Sequence, residues 1–192
     1  MESMPSKMGE DKPFWTPKFP MRVMVWNCQG VGSPLTVPQL NENVLLLFQD
    51  IIFLCEMKNK KVLDTVKKKI NFEKTFVVDA NRRAGGMAAF WNSSIPIKSI
   101  LATSFTIELE IEDNARGFNW WLVGLYASSE NSIRKQQWNV LQRRKVLWVD
   151  HWILAGTLMT LGAIRRNREE GSGISSLSTI SITSSTTTIW LK

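Results

Sequence analysis

The sequence has few of the residues from which disulfide frameworks and clustered metal sites are built. Its 192 residues include two cysteines, one histidine and one tyrosine. Two cysteines do not make a disulfide framework, no zinc-ligand spacing is present, and one histidine excludes a site built from several histidines. Cys28 and Cys55 each lie beside an apolar run, so we expect two reduced, buried thiols.

The chain also shows no secretory signal. Residues 1–20 are polar and proline-rich and lack an apolar central region. We therefore expect a disordered arm there, and an intracellular protein, in the nucleus or cytoplasm, that is not secreted. Residues 146–164 have the length of a membrane span. Asp150 and His151 interrupt it, however, and a central Asp costs about 2.5–3.5 kcal/mol on insertion scales, so a membrane-anchored fragment is a disfavoured alternative.

The net charge of the chain indicates which class of binding partner it favours. Lysine and arginine outnumber aspartate and glutamate by 24 to 17, a net charge of +7. Such a balance favours an anionic partner, either nucleic acid or a membrane surface, although an ordinary basic surface is the alternative interpretation. Hydrophobic residues make up 44% of the chain, which is typical of a globular domain with one sizeable core.

Apolar periodicity predicts strands and helices as far as Gly156. Their order is strand, helix, strand, helix, a meander of five strands, a helix and a final strand, which predicts an α/β or α+β sandwich with a mixed sheet. Apolar and polar residues alternate over residues 105–112, which predicts an antiparallel strand exposed on one face. The strands are expected in "MRVMVWN", "DIIFLCE", "KTFVVD", "GGMAAFW", "IPIKSILA", "FTIELEIED", "FNWWLVGLYAS" and "HWILAG", and the helices in "VPQLNENVLLLF", "NKKVLDTVKKKI" and "NSIRKQQWNVLQRRKVLW".

Two helices carry explicit predictions about which side chains face inward. In the first helix the apolar stripe is Val37, Leu40, Val44, Leu47 and Phe48. In the last helix we expect Ile133, Val140, Leu141, Leu147 and Trp148 to face inward, and Arg134, Lys135, Arg143, Arg144 and Lys145 to face solvent.

Polar side chains at three strand ends are the candidate functional residues. Asn27 ends the first strand, Glu56 follows the second, and Tyr126 lies near the end of "WWLVGLYAS". Sites in α/β folds commonly form at strand ends, and a carboxylate beside an amide can hold Mg²⁺, which keeps several waters. Each residue also has an ordinary interpretation, as a turn cap, a solvated charge or a strand tyrosine.

Taken together, these segments resemble a known family. "VMVWNCQGVGSPLTVPQL", "DIIFLCEMKNKK", "RRAGGMAAFW", "WWLVGLYASSENSIRKQQWNVLQRRK" and "WILAG" resemble the endonuclease domain of plant-type non-LTR retrotransposons, in the endonuclease/exonuclease/phosphatase superfamily. The resemblance covers residues 21–156. It implies an incomplete, DNase I-like four-layer α/β sandwich with mixed sheets, and Mg²⁺-dependent hydrolysis of DNA phosphodiesters without a small-molecule cofactor.

The resemblance also assigns roles to individual residues. It implies that Asn27 shapes the metal site, that Glu56 is a metal ligand and that Tyr126 is catalytic, contacting the scissile phosphate. Lys58, which matches a basic residue after the glutamate, is expected to contact phosphate or DNA together with Arg82 and Arg83. Mg²⁺ on Glu56 would polarise the phosphate, while Tyr126 would donate a hydrogen bond as negative charge builds.

Two motifs of that family are absent after residue 156. Gly156-Thr157-Leu158-Met159 stands where the family has Gly-Asp-Phe-Asn, and no histidine follows His151 to supply the Ser-Asp-His-type ending. We therefore expect this copy to be catalytically inactive. A non-catalytic nucleic-acid-binding remnant is the alternative function, based on the basic clusters Lys67, Lys68, Lys69, Arg82, Arg83, Arg143, Arg144 and Lys145.

The segment 157–192 is expected to be an unrelated, disordered tail. Eleven of the sixteen residues from Ile174 to Ile189 are serine or threonine. The few apolar residues among them cannot bury enough surface to offset the conformational entropy that is lost on ordering. One set of synonymous codons for residues 157–161, read in the frame that begins one base earlier, encodes Asp-Phe-Asn-Asp-Ile, which contains the Asp-Phe-Asn of the missing motif. We hypothesise a one-base deletion at Gly156, which the underlying DNA read in all frames would test; a natural linker is the alternative.

Overall fold

A computed structural model describes residues 21–28, 30, 36–58, 62–79, 85–114, 117–148, 151–158, 180–181 and 186–191. The arm expected at residues 1–20 lies outside the described residues. The elements are β1 Met21–Asn27, α1 Thr36–Leu47, β2 Ile51–Cys55, α2 Leu63–Lys69, β3 Lys74–Val78, β4 Met87–Trp91, β5 Ile97–Ala102, β6 Thr106–Asp113, β7 Phe118–Ala127, α3 Asn131–Arg144, β8 Trp152–Leu158, β9 Ile180–Ser181 and β10 Thr186–Leu191.

Among the described residues, the strands form two mixed sheets of five. The first has the order β10-β1-β2-β4-β3 and the second β5-β6-β7-β8-β9. β1 and β2 run parallel, with Asn27 opposite Cys55, and β7 and β8 run parallel, with Tyr126 opposite Thr157. Because parallel neighbours end at the same edge of a sheet, the ends of these strands can meet at one rim of the sandwich.

Side-chain alternation along the strands creates the layers. Val23 and Val25 of β1 pack between the two sheets, whereas Met24 and Trp26 face the other way, beneath α1 and α2. In β7 the even-numbered residues 120, 122 and 126 share the inter-sheet side, and the odd-numbered ones pack with α3. The result is helix, sheet, sheet, helix, which confirms the predicted four-layer α/β sandwich.

Cys28 and Cys55 are both buried, as expected. Cys28 Sγ donates a hydrogen bond to the Cys55 carbonyl oxygen at 3.1 Å. Burial raises the pKa of the Cys28 thiol, so the thiol stays protonated and unreactive at neutral pH.

The predicted helix stripes are partly wrong. Leu40 and Val44 of α1 are buried, but Phe48 is 73% exposed and carries the Arg22 guanidinium over its ring. In α3, Leu141 and the following Trp148 are buried as expected, whereas Ile133 and Leu147 are exposed. α3 ends at Arg144 and continues as a 3₁₀ turn over Lys145–Leu147, and the tighter pitch of this turn moves Leu147 away from the position that it would have on a continuous helix.

A buried carboxylate explains the largest departure from the predicted pattern. Glu108, expected on an exposed face of β6, is fully buried, as is Thr106. Arg144, expected to face solvent, reaches Glu108 with Nε at 2.6 Å from Oε1 and Nη2 at 2.9 Å from Oε2. Trp148 Nε1 also donates to Oε2 at 2.9 Å. The outer face of β6 is therefore covered at Thr106 and Glu108, where the ion pair with Arg144 holds the end of α3, while Glu112 on the same face is exposed.

The described residues after 156 are extended. β8 continues through Thr157 and Leu158, and β10 pairs antiparallel with β1 from Met21↔Leu191 to Trp26↔Thr186. At these positions, and at β9, the structure differs from the expected disordered tail, because a free sheet edge offers backbone partners to any extended segment.

The candidate membrane span also has a different structure. Of residues 146–164, the window of the disfavoured membrane-span alternative, Trp152–Leu158 form strand β8. Within the part of the chain that the structure describes, no helix is both long and apolar enough to cross a membrane.

Candidate active site

Three predicted site residues meet at one rim of the sandwich. Asn27 is the last residue of β1, Glu56 immediately follows β2, and Tyr126 lies one residue before the end of β7. Asn27 Nδ2 donates to Glu56 Oε1 at 3.1 Å. Tyr126 Oη donates to the same oxygen at 2.6 Å. Glu56 and Tyr126, which follow Asn27 by 29 and 99 positions in the chain, thus form one hydrogen-bonded group with it.

The burial of the three residues suits a site at a cleft edge. Asn27 is buried, while Glu56 and Tyr126 are partly exposed. Both hydrogen bonds go to Oε1, so Oε2 of the same carboxylate takes part in neither of them. The arrangement fixes the direction of a negatively charged carboxylate that remains within reach of solvent.

The backbone that carries Glu56 is strained. Glu56 has φ 57° and Lys58 has φ 56°, a left-handed conformation that costs roughly 1–2 kcal/mol for a residue with a side chain. Between them Met57 is buried beneath the first sheet. Such backbone strain persists only where surrounding contacts enforce it, and it is concentrated at functional sites. Here it turns the Glu56 side chain from the end of β2 toward Tyr126.

The hydrogen bond changes the acidity of the phenol. Burial, together with the Glu56 carboxylate as hydrogen-bond acceptor and nearby negative charge, raises the pKa of Tyr126 far above its ordinary value. The phenol is therefore fully protonated at neutral pH and acts as a donor.

Replacing Glu56 by glutamine should lower the pKa of Tyr126, because the negative charge beside the phenol is lost while its burial remains. Tyr126 is the only tyrosine, so the alkaline absorbance change of phenolate reports this residue alone. In the parent protein the raised folded pKa contributes stability below the unfolded value of about 10, which is lost as pH rises above it. An unchanged titration in Glu56→Gln would contradict the contact.

Sequence reasoning missed the residues that hold the Tyr126 strand end. Gln137 of α3 donates from Nε2 to the Tyr126 carbonyl oxygen at 3.3 Å and accepts from the Ser128 amide at 2.8 Å. Arg134 donates to the Ser128 and Ser129 carbonyl oxygens. The positions of Gln137 and Arg134 along the helix predict that both are surface residues, and no signal in the sequence links either of them to Tyr126.

The remaining predicted site residues are less closely associated. Lys58 is exposed and lies two positions after Glu56, with its backbone amide donating to the Gly85 carbonyl oxygen at 2.9 Å. Arg82 and Arg83 lie outside the described residues. Thr157, where the resemblance calls for a carboxylate, pairs in register with Tyr126.

The donor set fits a cation that needs few protein ligands. Among the described residues no group of three or more His, Cys, Asp or Glu could hold a metal ion. Glu56 supplies one carboxylate and Asn27 one amide beside it. Mg²⁺ typically binds one or two carboxylates and retains waters, so this pair suits Mg²⁺ rather than a cation that requires a full protein cage.

Known structures share this fold. An endonuclease/exonuclease/phosphatase family protein from Bacteroides thetaiotaomicron matches with a TM-score of 0.56 and 15% identity, over 71% of this chain and 62% of that one. D. rerio TDP2 complexed with a single-strand DNA product matches with a TM-score of 0.55 and 19% identity, over 71% and 60%. The human Nocturnin catalytic domain with bound sulfate matches with a TM-score of 0.54 and 15% identity, over 72% and 63%.

The chain therefore has the α/β fold of endonuclease/exonuclease/phosphatase family proteins, as the resemblance implied. It spans about three fifths of the length of these neighbours. The neighbours also include the endonuclease domain of TRAS1, a telomere-specific non-LTR retrotransposon, at a TM-score of 0.47. No protein-family model and no curated protein sequence matches the chain.

Proposed function

We propose that this chain is a retroelement endonuclease domain of the endonuclease/exonuclease/phosphatase type, which binds DNA and Mg²⁺ and, in this copy, does not cleave DNA. The single observation that carries the proposal is the convergence of Asn27 and Tyr126 on Glu56 Oε1. The family neighbours, one of them a TDP2 with a DNA product, support nucleic acid as the partner.

Each residue has a role that its geometry supports. Glu56 would bind Mg²⁺, with Asn27 fixing the carboxylate and Tyr126 donating a hydrogen bond. Bound Mg²⁺ would supply Lewis-acid polarisation of a phosphate oxygen. The protonated Tyr126 phenol can donate to a phosphate oxygen as its negative charge increases, because its own proton is retained at neutral pH.

The proposed inactivity follows from residue 157. Thr157 is opposite Tyr126 in the parallel pair of β7 and β8, the position at which the resemblance calls for an aspartate that activates water. Threonine has no group that accepts a proton near neutral pH, and a missing general base costs about 10²–10⁴-fold in rate. Met159, which stands where the resemblance calls for an asparagine, would add to that loss.

Cation binding is the direct test of the proposal. Mn²⁺, used as a paramagnetic stand-in for Mg²⁺, should broaden the NMR signals of labelled Tyr126 before those of residues elsewhere, and Mg²⁺ should compete. Glu56→Gln should abolish the selective broadening, whereas Glu112→Gln, which removes a carboxylate from β6, should leave it intact. Uniform broadening, or broadening that survives Glu56→Gln, would disprove the cation site.

Nicking of supercoiled plasmid in Mg²⁺ tests the inactivity separately. We expect the parent chain and Glu56→Ala to give the same background rate, since the proposed chemistry is already lost. A parent rate clearly above that of Glu56→Ala would show that the chain cleaves DNA without an aspartate at position 157, and the claim of inactivity would then be abandoned.

A non-catalytic nucleic-acid-binding role is the second candidate, favoured by the basic end of α2. Lys67, Lys68 and Lys69 form its last turn, and Lys68 and Lys69 are exposed. Binding to phosphates by these lysines should weaken steeply with salt. Replacing Lys68 and Lys69 by glutamine should reduce the slope of log affinity against log salt by nearly 2; an unchanged slope would exclude this surface.

A further inference from the structure

Gly85 contacts the backbone of the proposed metal ligand more closely than any side chain permits. A Cβ atom built on Gly85 would lie 2.6 Å from Glu56 Cα, 3.1 Å from its Cβ and 3.2 Å from its carbonyl carbon. Real Cβ atoms essentially never lie within 3.0 Å of another heavy atom of this kind. Two of the three atoms belong to the Glu56 backbone, which cannot rotate away as the end of a side chain can.

A hydrogen bond fixes the same approach. The Lys58 amide donates to the Gly85 carbonyl oxygen at 2.9 Å, which links the segment before β4 to the segment after β2. Glu56 and Lys58, on either side of the buried Met57, both have positive φ. The strained backbone therefore has a specific partner, and that partner must lack a side chain.

We propose that Gly85 is a positioning residue for the site: its missing side chain lets the Glu56 backbone enter the left-handed conformation in which Oε1 reaches Asn27 and Tyr126. Gly85 itself touches no reacting atom. Its importance for cation binding rests on the function proposed for Glu56, whereas its effect on the Glu56–Tyr126 hydrogen bond is independent of that function.

The proposal explains an otherwise costly arrangement. The 2.6 Å bond between Tyr126 Oη and Glu56 Oε1 joins the two sheets, so a displacement of the Glu56 backbone by a few tenths of an ångström is transmitted directly to it. A methyl group at position 85 requires at least such a displacement, since 2.6 Å is well inside normal contact distance.

The test is the variant Gly85→Ala, in which NMR signals of Tyr126 report whether its hydrogen bond to Glu56 is still formed. As Tyr126 is the only tyrosine, ¹³Cζ-labelled tyrosine gives one NMR signal, and the phenol proton gives one slowly exchanging resonance. In Gly85→Ala we expect both to move toward the values found in Glu56→Ala, which has no side-chain acceptor for the phenol. Mn²⁺ affinity should fall by about 10–100-fold, as when partners of metal ligands are removed.

Gly117→Ala is the matched control. Gly117 has φ 74° and nothing within 4 Å of a Cβ, so alanine there strains the backbone and lowers stability without reaching the site. The Tyr126 signals should stay at their parent values in this variant. A Gly85→Ala protein that retains the parent Tyr126 signals would overturn the proposal, as would a Gly117→Ala protein that shifts them equally.

A suppressor variant covers the case in which Gly85→Ala does not fold. Adding Glu56→Gly removes the Cβ contact at 3.1 Å and lets position 56 adopt any φ. If the conflict lies between residues 85 and 56, the double variant should regain cooperative unfolding. The contacts of 2.6 Å and 3.2 Å are with backbone atoms that glycine retains, so the double variant is compared with Glu56→Gly alone. If Glu56→Gly folds and the double variant remains unfolded, freeing the conformation of position 56 does not relieve the conflict, and the proposal is overturned.

The two hypotheses can fail independently. If Mn²⁺ does not bind near Tyr126 in the parent protein, the proposed function fails while the Tyr126 resonances still report the role of Gly85. If Mn²⁺ binds in the parent protein and Gly85→Ala leaves the affinity and the Tyr126 signals unchanged, only the positioning role fails.

Discussion

Replacing Arg144 by alanine is expected to destabilise the protein by about 3 kcal/mol, the lower end of the range for breaking a buried ion pair. Glu108 is completely buried, and Arg144 is its charged partner, with a side chain that is 22% exposed. Without Arg144, the carboxylate would keep hydrogen bonds from Trp148 Nε1 and Thr106 Oγ1 but would have no compensating charge. Urea denaturation with a two-state fit measures the loss.

Arg143→Ala is the control for that prediction. Arg143 is the preceding residue of α3, is exposed, and donates from Nε to the Asn139 carbonyl oxygen within the same helix at 3.3 Å. Its loss should change stability by no more than about 0.5 kcal/mol. Equal effects of the two substitutions would mean that Glu108 does not depend on its ion pair.

The loss should also be smaller when both charges are removed. Pairing Glu108→Gln with Arg144→Ala leaves a neutral amide that can still accept from Trp148, so the cost of a buried, unpaired charge disappears. We expect the double variant to be more stable than Arg144→Ala alone. Non-additivity of this sign is the signature of a direct interaction.

Replacing Gly124 by alanine is expected to cost about 1–3 kcal/mol, the usual penalty of overpacking a core. A Cβ on Gly124 would lie 2.5 Å from Phe53 Cδ1 and 2.6 Å from Cε1. Phe53 is fully buried at the centre of β2, between the two sheets. The added methyl group must therefore move the sheets apart or force the ring off its rotamer, and thermal or urea unfolding will measure the cost.

The same substitution should disturb the site. Gly124 precedes Tyr126 by two residues on the same face of β7, and Phe53 precedes Glu56 by three residues. Separating β2 from β7 lengthens the hydrogen bond from Tyr126 Oη to Glu56 Oε1. Phe53→Leu in the same chain provides room, so the double variant should recover part of the stability; if it does not, Gly124 and Phe53 are not the atoms in conflict.

The order of elements and the three site residues were predictable from local patterns. Strands such as "DIIFLCE" are uniformly apolar because both faces are covered, and all five of its strand residues are buried. Asn27 and Glu56 end parallel neighbours, and parallel strand ends meet at one rim whatever packs above them. Their proximity therefore follows from chain order and strand direction alone.

Side-chain orientation in the last helix could not be predicted in the same way. Arg144 and Glu108 each have the pattern of a surface residue, since a charge is normally solvated. They are buried because they meet across 36 positions of sequence. Burial of a charge is favourable only in the presence of its partner, and nothing local to either residue indicates that partner.

The amino-acid sequence by itself determined a layered sandwich with mixed sheets and the burial of the cysteines, because periodicity is a local property. The four-layer arrangement was implied by the family resemblance, and strand-end chemistry together with that resemblance made Asn27, Glu56 and Tyr126 the candidate site residues. The tertiary structure alone decided that Glu108 is buried with Arg144 and that Gly85 abuts Glu56. Contacts of this kind depend on distances between elements far apart in the chain. Those distances are set by the packing of both sheets together, and no single segment encodes them.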